Sequence, residues 1–307
     1  MPRITKVWNN FVRTNLRKIN LCFSKHILDL QIKDTEVSEL QERLLLDNDK
    51  QPIDLTHKVL VRIFTNNSFK EGGRFYRGWW QNVPKEYRQF ITIDSKLVTE
   101  YDFSQMNPNM IYDRYNKELG SEDAYSRVAG PDHRDVVKEA FNAMFQSKTT
   151  LDRKPDGIEL DEIGMTWKEL KEEILKAHKP IKDLFFKGLG NKLQFEDSCI
   201  AESVMLQFAN SDAPALPIHD SFVMHHGYGD KGGLEEAMRR AYFERFNSSL
   251  SEKRDLVEKV IHDKIRLDED KKPINNDDGT IEVGDIINAD SEFSQWRDRD
   301  RMWMSGK

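Results

Sequence analysis

Long apolar runs are what this 307-residue chain most visibly lacks. Nowhere do about eighteen apolar residues follow one another, so no transmembrane helix is expected. The basic start, MPRITKVWNNFVRTNLRKINLCFSKH, has no continuous apolar segment and no small-residue cleavage site, so a signal peptide is not expected either. Cysteine is scarce: Cys22 and Cys199 stand alone, which gives neither a disulfide framework nor a zinc cluster and fits a reducing cytoplasm. Internal repeats and low-complexity tracts are missing too. Acid is absent from the first 28 residues, where Arg3, Lys6, Arg13, Arg17, Lys18 and Lys25 gather. Residues 268–292 are the reverse, with nine acids against Lys271 and Lys272.

What is present suits a soluble globular chain with a real core: 33% of residues are charged and 10% aromatic. The net charge of −6 does not exclude nucleic acid, because phosphate contacts are local. The basic start reads either as solvated surface or as an arm that meets nucleic acid. The acidic stretch reads as solvated surface, or as a tail that stays outside a cleft or occupies it.

Residues 1–47 read as helical, ending in an amphipathic run from Val37 to Leu46 with Leu40 and Leu44 on one face. Residues 58–64 and 89–103 read as β-rich, with Ile91, Ile93, Leu97 and Val98 as their apolar positions. Asn107 and Pro108 suit the N-cap and first position of a helix running to Tyr115. Further helices are expected over 132–146, 165–187 with a break at Pro180, 194–210, and 233–262 with a split near Asn247. Ala215 to Val223 reads as strand, turn and strand, and the last 40 residues as a docked or partly mobile extension. Separated strands with helices between them make the class α+β.

Four short segments carry chemistry. Tyr101-Asp102-Phe103-Ser104-Gln105 ends a strand on an acid, and Ile218-His219-Asp220-Ser221-Phe222 puts an acid in a tight turn between two apolar stretches. Each alone is an ordinary turn Asp. Together they are what a two-metal phosphoryl-transfer site needs, with cations about 3.5–4 Å apart. Mg²⁺ takes oxygen ligands, so two Asp, a backbone carbonyl and substrate phosphates suffice. Arg134, Lys138 and Asn142 recur every fourth residue, on one helical face beside the apolar Val137, Phe141 and Met144. That row is either a solvated face or a cradle for a triphosphate. Gly72 to Pro84 interleaves glycines, Arg74, Arg77 and aromatic residues. It reads either as a surface that grips phosphates and stacks on bases or as a packed Trp-Trp hairpin.

The order of these segments resembles the family A DNA polymerases and their relatives, the single-subunit RNA polymerases of phages and mitochondria. Gly73-Arg74 followed by Gln81-Asn82-Val83-Pro84 is similar to the segment leading into motif A. Tyr101 to Gln105 is similar to motif A itself, Arg134 and Lys138 to motif B, and Ile218 to Phe222 to motif C. The likeness spans roughly residues 70–230. It implies a right-hand palm built on an antiparallel sheet. The organisation it implies is a helical thumb-like region over 1–70 and palm segments over 71–130 and 193–262. Reduced fingers-like helices over 131–192 and an acidic extension over 263–307 complete it.

The resemblance also implies that Asp102 and Asp220, with the Phe103 carbonyl, hold two Mg²⁺ or Mn²⁺ ions. Arg134 and Lys138 would hold the triphosphate, Lys138 also serving as general acid, with Gln105, Asn107 and Asn142 as further nucleotide contacts. Arg74, Arg77, Gln81 and His219 would meet nucleic acid, and Gln194 to Met205 would occupy the place of a helix that touches template and primer. Four positions depart from the family pattern. Asn107 stands where the DNA enzymes have a sugar-gating glutamate, Ser221 where they have a second acid, Asn142 where an aromatic is usual, and Gln146 where a tyrosine is usual. The expected function is a minimal template-dependent DNA polymerase of a phage or mobile element, using nucleoside triphosphates on a primer–template or single strand. An RNA-synthesising, primase-like or template-independent enzyme is the close alternative. A non-catalytic nucleic-acid-binding protein on a polymerase-like scaffold is the alternative of another class.

Overall fold

The strand Lys96–Phe103 organises the molecule, because its run of β-branched, aromatic and buried positions from Val98 to Tyr101 leaves neither face to solvent. The computed structural model describes residues 3–46, 52–229, 233–247, 254 and 256–260. Within them the chain is mixed α+β, with a mostly antiparallel sheet that curls into a half-barrel. The strands are β1 (Leu28–Leu30), β2 (Val61–Phe64), β3 (Gly72–Tyr76), β4 (Ile91–Ile93), β5 (Lys96–Phe103), β6 (Ala215–Ile218), β7 (Ser221–His225) and β8 (Val257–Val260).

Along one edge β5 pairs with β7, from Val98↔His225 to Asp102↔Ser221. The other edge is shared: β4 takes its start and β8 its end, from Glu100↔Val260 to Phe103↔Val257. β1 extends the sheet beyond β4 and β6 beyond β7. The turn between β4 and β5 is a two-residue connection, and Asp94 (φ 53) and Ser95 (φ 64) both take the left-handed conformation such turns demand.

The helices are α1 (Arg3–Lys25), α2 (Asp34–Leu46), α3 (Met106–Arg114), α4 (Ser126–Ala129), α5 (Arg134–Gln146), α6 (Trp167–Ala177), α7 (Gly190–Ala209), α8 (His226–Gly229) and α9 (Gly233–Phe246). α7 touches β3, β6, α1, α3, α5 and α9. Arg62 rivets the β2–β3 hairpin to it: the side chain donates to Gly73 O (2.7 Å) and Ser198 Oγ (3.0 Å) and pairs with Glu202 (3.0 Å). Gly73, at φ +87, lies so close to α7 that a Cβ there would meet Ser198 Oγ and the Phe64 ring at 2.9 Å.

One open choice is decided and three local expectations are corrected. The stretch Gly72 to Pro84 is the strand β3 followed by a 3₁₀ turn, and Trp79 and Trp80 are packed inside, with Trp80 Nε1 donating to Pro217 O (3.1 Å). The packed reading therefore holds for the tryptophans, though in a 3₁₀ turn and not in a hairpin, because so much apolar area is worth more in the core than at the surface. Residues 1–47 are not all helical, since β1 intervenes and continues the sheet through Leu28↔Ile93. α3 begins at Met106, capped by Gln105 in the left-handed region (φ 51), so Asn107 and Pro108 lie inside its first turn, where a missing N–H costs nothing. Finally, 257–260 is strand: the open edge of β5 claims it, and Tyr242 and Arg254 anchor its approach on the buried Asp113. The acidic stretch 268–292 lies outside the described residues.

One buried histidine sets a pH limit on this fold. His178 is fully enclosed; its Nε2 lies 2.9 Å from Ala124 O, which can only accept, so Nδ1 accepts from the Tyr112 hydroxyl at 3.0 Å. Burial pushes the imidazole down from 6.5 to about 4. Between those values the unfolded chain takes up a proton that the folded chain refuses. Stability at His178 is therefore full above pH 6.5 and falls as the pH drops toward 4, by about 3 kcal/mol in all. Urea unfolding at pH 7 and pH 4.5 checks this: His178→Gln, which does not titrate, should flatten the wild-type slope.

Candidate active site

Asp102 is the penultimate residue of β5, and register alone brings two other chain segments to it: Ser221 opposite on β7 and Glu258 opposite on β8. Asp220 precedes Ser221 in the two-residue β6–β7 turn, whose other member, His219, has φ 57. The Phe103 N–H donates to Asp220 O at 3.4 Å, so the strand end and the turn meet at the backbone. Phe103 itself packs its ring against Tyr242.

The electrostatics single out Asp102. Burial, then the charges of Asp220, Glu100 and Glu258, push its carboxyl up to about 7, with Lys138 pulling it back. Its Oδ1 is buried with no hydrogen-bond partner among the described residues. Glu100 is already answered, by Arg88 at 2.8 Å and the Ser221 hydroxyl at 2.6 Å. Ser221 is thus turned toward Glu100 and supports the strand pair. An unpartnered carboxylate oxygen beside two further acids is a site short of positive charge, and its donors are all oxygen, the set that suits Mg²⁺.

α5 supplies cations. Lys138 is exposed and acts on Asp102 through its charge. Arg134, one turn earlier, donates to Asp123 (3.1 Å) with its guanidinium 5.3 Å from the centre of the Tyr125 ring. Burial raises the Tyr125 hydroxyl, and the charges of Arg134 and Asp220 both act on it, which ties this helix end to the β6–β7 turn. Asn142, one turn later, accepts a 2.9 Å bond from Asn107 Nδ2, so these two positions touch. Gln105 is occupied: its Oε1 accepts the Ala124 N–H and holds the loop before α4.

A second group lines a cleft of about 380 Å³. Arg74 and Arg77, Gln81, and His219 reach it from β3 and its exit, the 3₁₀ turn and the β6–β7 turn, so all four expected nucleic-acid contacts share one wall with Asp197. Arg74 Nε is 2.7 Å from Asp197 Oδ2. Asp197, buried, is pushed up to about 6 by burial against the pull of Arg74, with Asp220 adding to the rise.

Asp197, Glu258 and Tyr125 were not singled out by sequence. Asp197 had a signal, since it sits with Glu196 on the buried face of α7 among Leu193, Ile200 and Val204. Glu258 was hidden because its segment read as helix. No family model matches the chain, and no curated protein matches it. No helix among the described residues is long and apolar enough to cross a membrane.

Proposed function

We propose that this chain is a nucleotidyltransferase, in its simplest form a template-directed DNA polymerase, whose sheet serves as a palm with Asp102 and Asp220 as the metal-holding acids. The observation that carries this reading is the buried, unpartnered Asp102 oxygen under the charges of Asp220 and Glu258, with the charge of Lys138 from a separate helix acting against them. Divalent cations held there would activate a 3′ hydroxyl and neutralise the phosphates of an incoming nucleotide.

The remaining roles belong to the chain. Lys138 gives a proton to the departing pyrophosphate. Arg134 exchanges Asp123 for a phosphate oxygen, a move that leaves Asp123 with the backbone N–H groups of Tyr125 and Ser126. Arg74, Arg77, Gln81 and His219 position the primer–template backbone along the cleft. Primer extension with Mg²⁺ or Mn²⁺ on a templated primer tests the reading directly. Lys138→Ala should lower the extension rate by about 100-fold, the usual worth of a general acid. Equal rates for both proteins would remove Lys138 from the mechanism.

One observation favours ribonucleotides as an alternative substrate of the same reaction. The Asn107–Asn142 pair is neutral and can both donate to and accept from a sugar hydroxyl. Parallel extension with ribo- and deoxynucleotides, in wild type and Asn107→Glu, decides between the two sugars.

A further inference from the structure

At the opposite end of the sheet from the acids, three potential metal ligands converge that the proposed reaction does not use. Cys22 lies in the last turn of α1, His26 four residues later just past its end, and Asp212 in the loop between α7 and β6. One ligand atom from each lies within 4.8 Å of the other two. The cysteine count alone gave no hint of this, because the three ligands are of different types and the third is brought in by the fold.

The histidine is arranged as metal-binding histidines are. Its Nδ1 sits 2.7 Å from Asp94 Oδ2, and Nε2 is buried with no partner among the described residues. A ligating imidazole almost always gives its other ring N–H to a carboxylate, a backbone carbonyl or a water, which fixes tautomer and orientation. Asp94 is itself fixed: it occupies the tight β4–β5 turn, its Oδ1 accepts the Ile27 N–H at 2.9 Å, and its own N–H donates to Ile27 O at 2.8 Å. Cys22 is 2% exposed and carries a free thiol. Asp212 is half-exposed and pairs through Oδ1 with the equally exposed Lys25 at 2.8 Å, a surface contact of the kind that yields readily.

We propose that Cys22, His26 and Asp212 form a zinc site, with Asp94 as the positioning residue behind His26, which clips the end of α1 to the sheet. Thiolate and imidazole donors select Zn²⁺ over Mg²⁺. On binding, the Cys22 thiol loses its proton to solvent and the sulfur lone pair goes to the metal. The thiolate and the Asp212 carboxylate then balance the two positive charges, and water completes the tetrahedron. Bond lengths of about 2.0–2.3 Å put tetrahedral ligand atoms about 3.3–3.8 Å apart, a contraction that rotation of the exposed Asp212 side chain supplies.

The test is titration of the metal-free full chain with Zn²⁺ against a competing chelator, repeated with Co²⁺ to read thiolate-to-metal charge transfer. One equivalent should bind, with the charge-transfer band present. Cys22→Ser should abolish the band and weaken Zn²⁺ at least 100-fold, and Asp94→Asn should weaken it by about 10–100-fold. Cys199→Ser and Asp102→Asn should bind as the wild type does, which separates this site from the acidic cluster. Circular dichroism of each metal-free variant confirms that it folds. Wild-type-like affinity in folded Cys22→Ser or His26→Gln, or no chelator-resistant zinc in the wild type, would overturn the proposal.

Discussion

Asp102→Asn is expected to lose primer extension by about 1,000-fold or more while gaining stability at neutral pH. The loss corresponds to the several kcal/mol of charge stabilisation a metal-holding carboxylate contributes to phosphoryl transfer. The gain comes from the opposite side of the same fact. With no cation, Asp102 must ionise in a half-buried place beside Asp220, Glu100 and Glu258, which holds its carboxyl near 7 rather than 3.8. A carboxyl raised on folding binds its proton more tightly in the folded chain. Its contribution is therefore lost as pH rises from about 4 to 7 and stays lost above that. Asn carries no such charge, and the variant should be more stable above pH 7 by an amount on the order of 2 kcal/mol, after screening by solvent in the cleft. Mg²⁺ should reverse the ranking, raising the wild-type melting temperature and leaving the variant unmoved. Thermal melts at pH 5 and 8, with and without Mg²⁺, check all of this. A variant that is simply less stable at both pH values, with extension intact, would remove Asp102 from the metal site.

Arg74→Ala is expected to have the second largest effect, about 3–5 kcal/mol of stability, because it leaves Asp197 buried without its cation. Asp197 already stands at about 6 with the arginine present, and without it the carboxyl rises further. The folded variant escapes the penalty by keeping the proton, so its deficit should be small near pH 5.5 and widen toward pH 8. The double variant Arg74→Ala/Asp197→Asn should recover most of the stability. It should not recover affinity for a primer–template, whose salt dependence should fall by about one phosphate contact. Recovery of both together would make Arg74 a purely structural residue.

Much of the candidate site was legible in sequence because it is made of local patterns. Asp102 ends a strand and Asp220 sits in a two-residue turn, and each could be read from its apolar flanks. The every-fourth-residue row of Arg134, Lys138 and Asn142 needed only helical geometry. What was hidden depends on partners far away in the chain. Whether Trp80 faces water or the core is decided by packing against distant segments such as Pro217, which takes its indole N–H, and composition cannot say. Gln105 carries the same side chain whether it meets a nucleotide or the Ala124 backbone. Residues 257–260 are compatible with either period over so short a length, and the free edge of β5 made the choice. Glu258 was lost with that segment.

That shared edge bears on how the protein comes into being. The strand bearing Asp102 emerges from the ribosome early, yet β7 and then β8 must follow before either side of its acidic end is closed. Until residue 260 is made, the stretch from Glu100 to Phe103 is an open β-edge with a row of unpaired backbone groups, the sort of surface that recruits foreign strands. A polypeptide truncated before Leu256 would keep Asp102, Asp220 and Lys138 and still lack the strand that completes their setting. Glu258 therefore joins Asp102 only after β8 has been made, later than the β5–β7 pairing that brings Asp220 near.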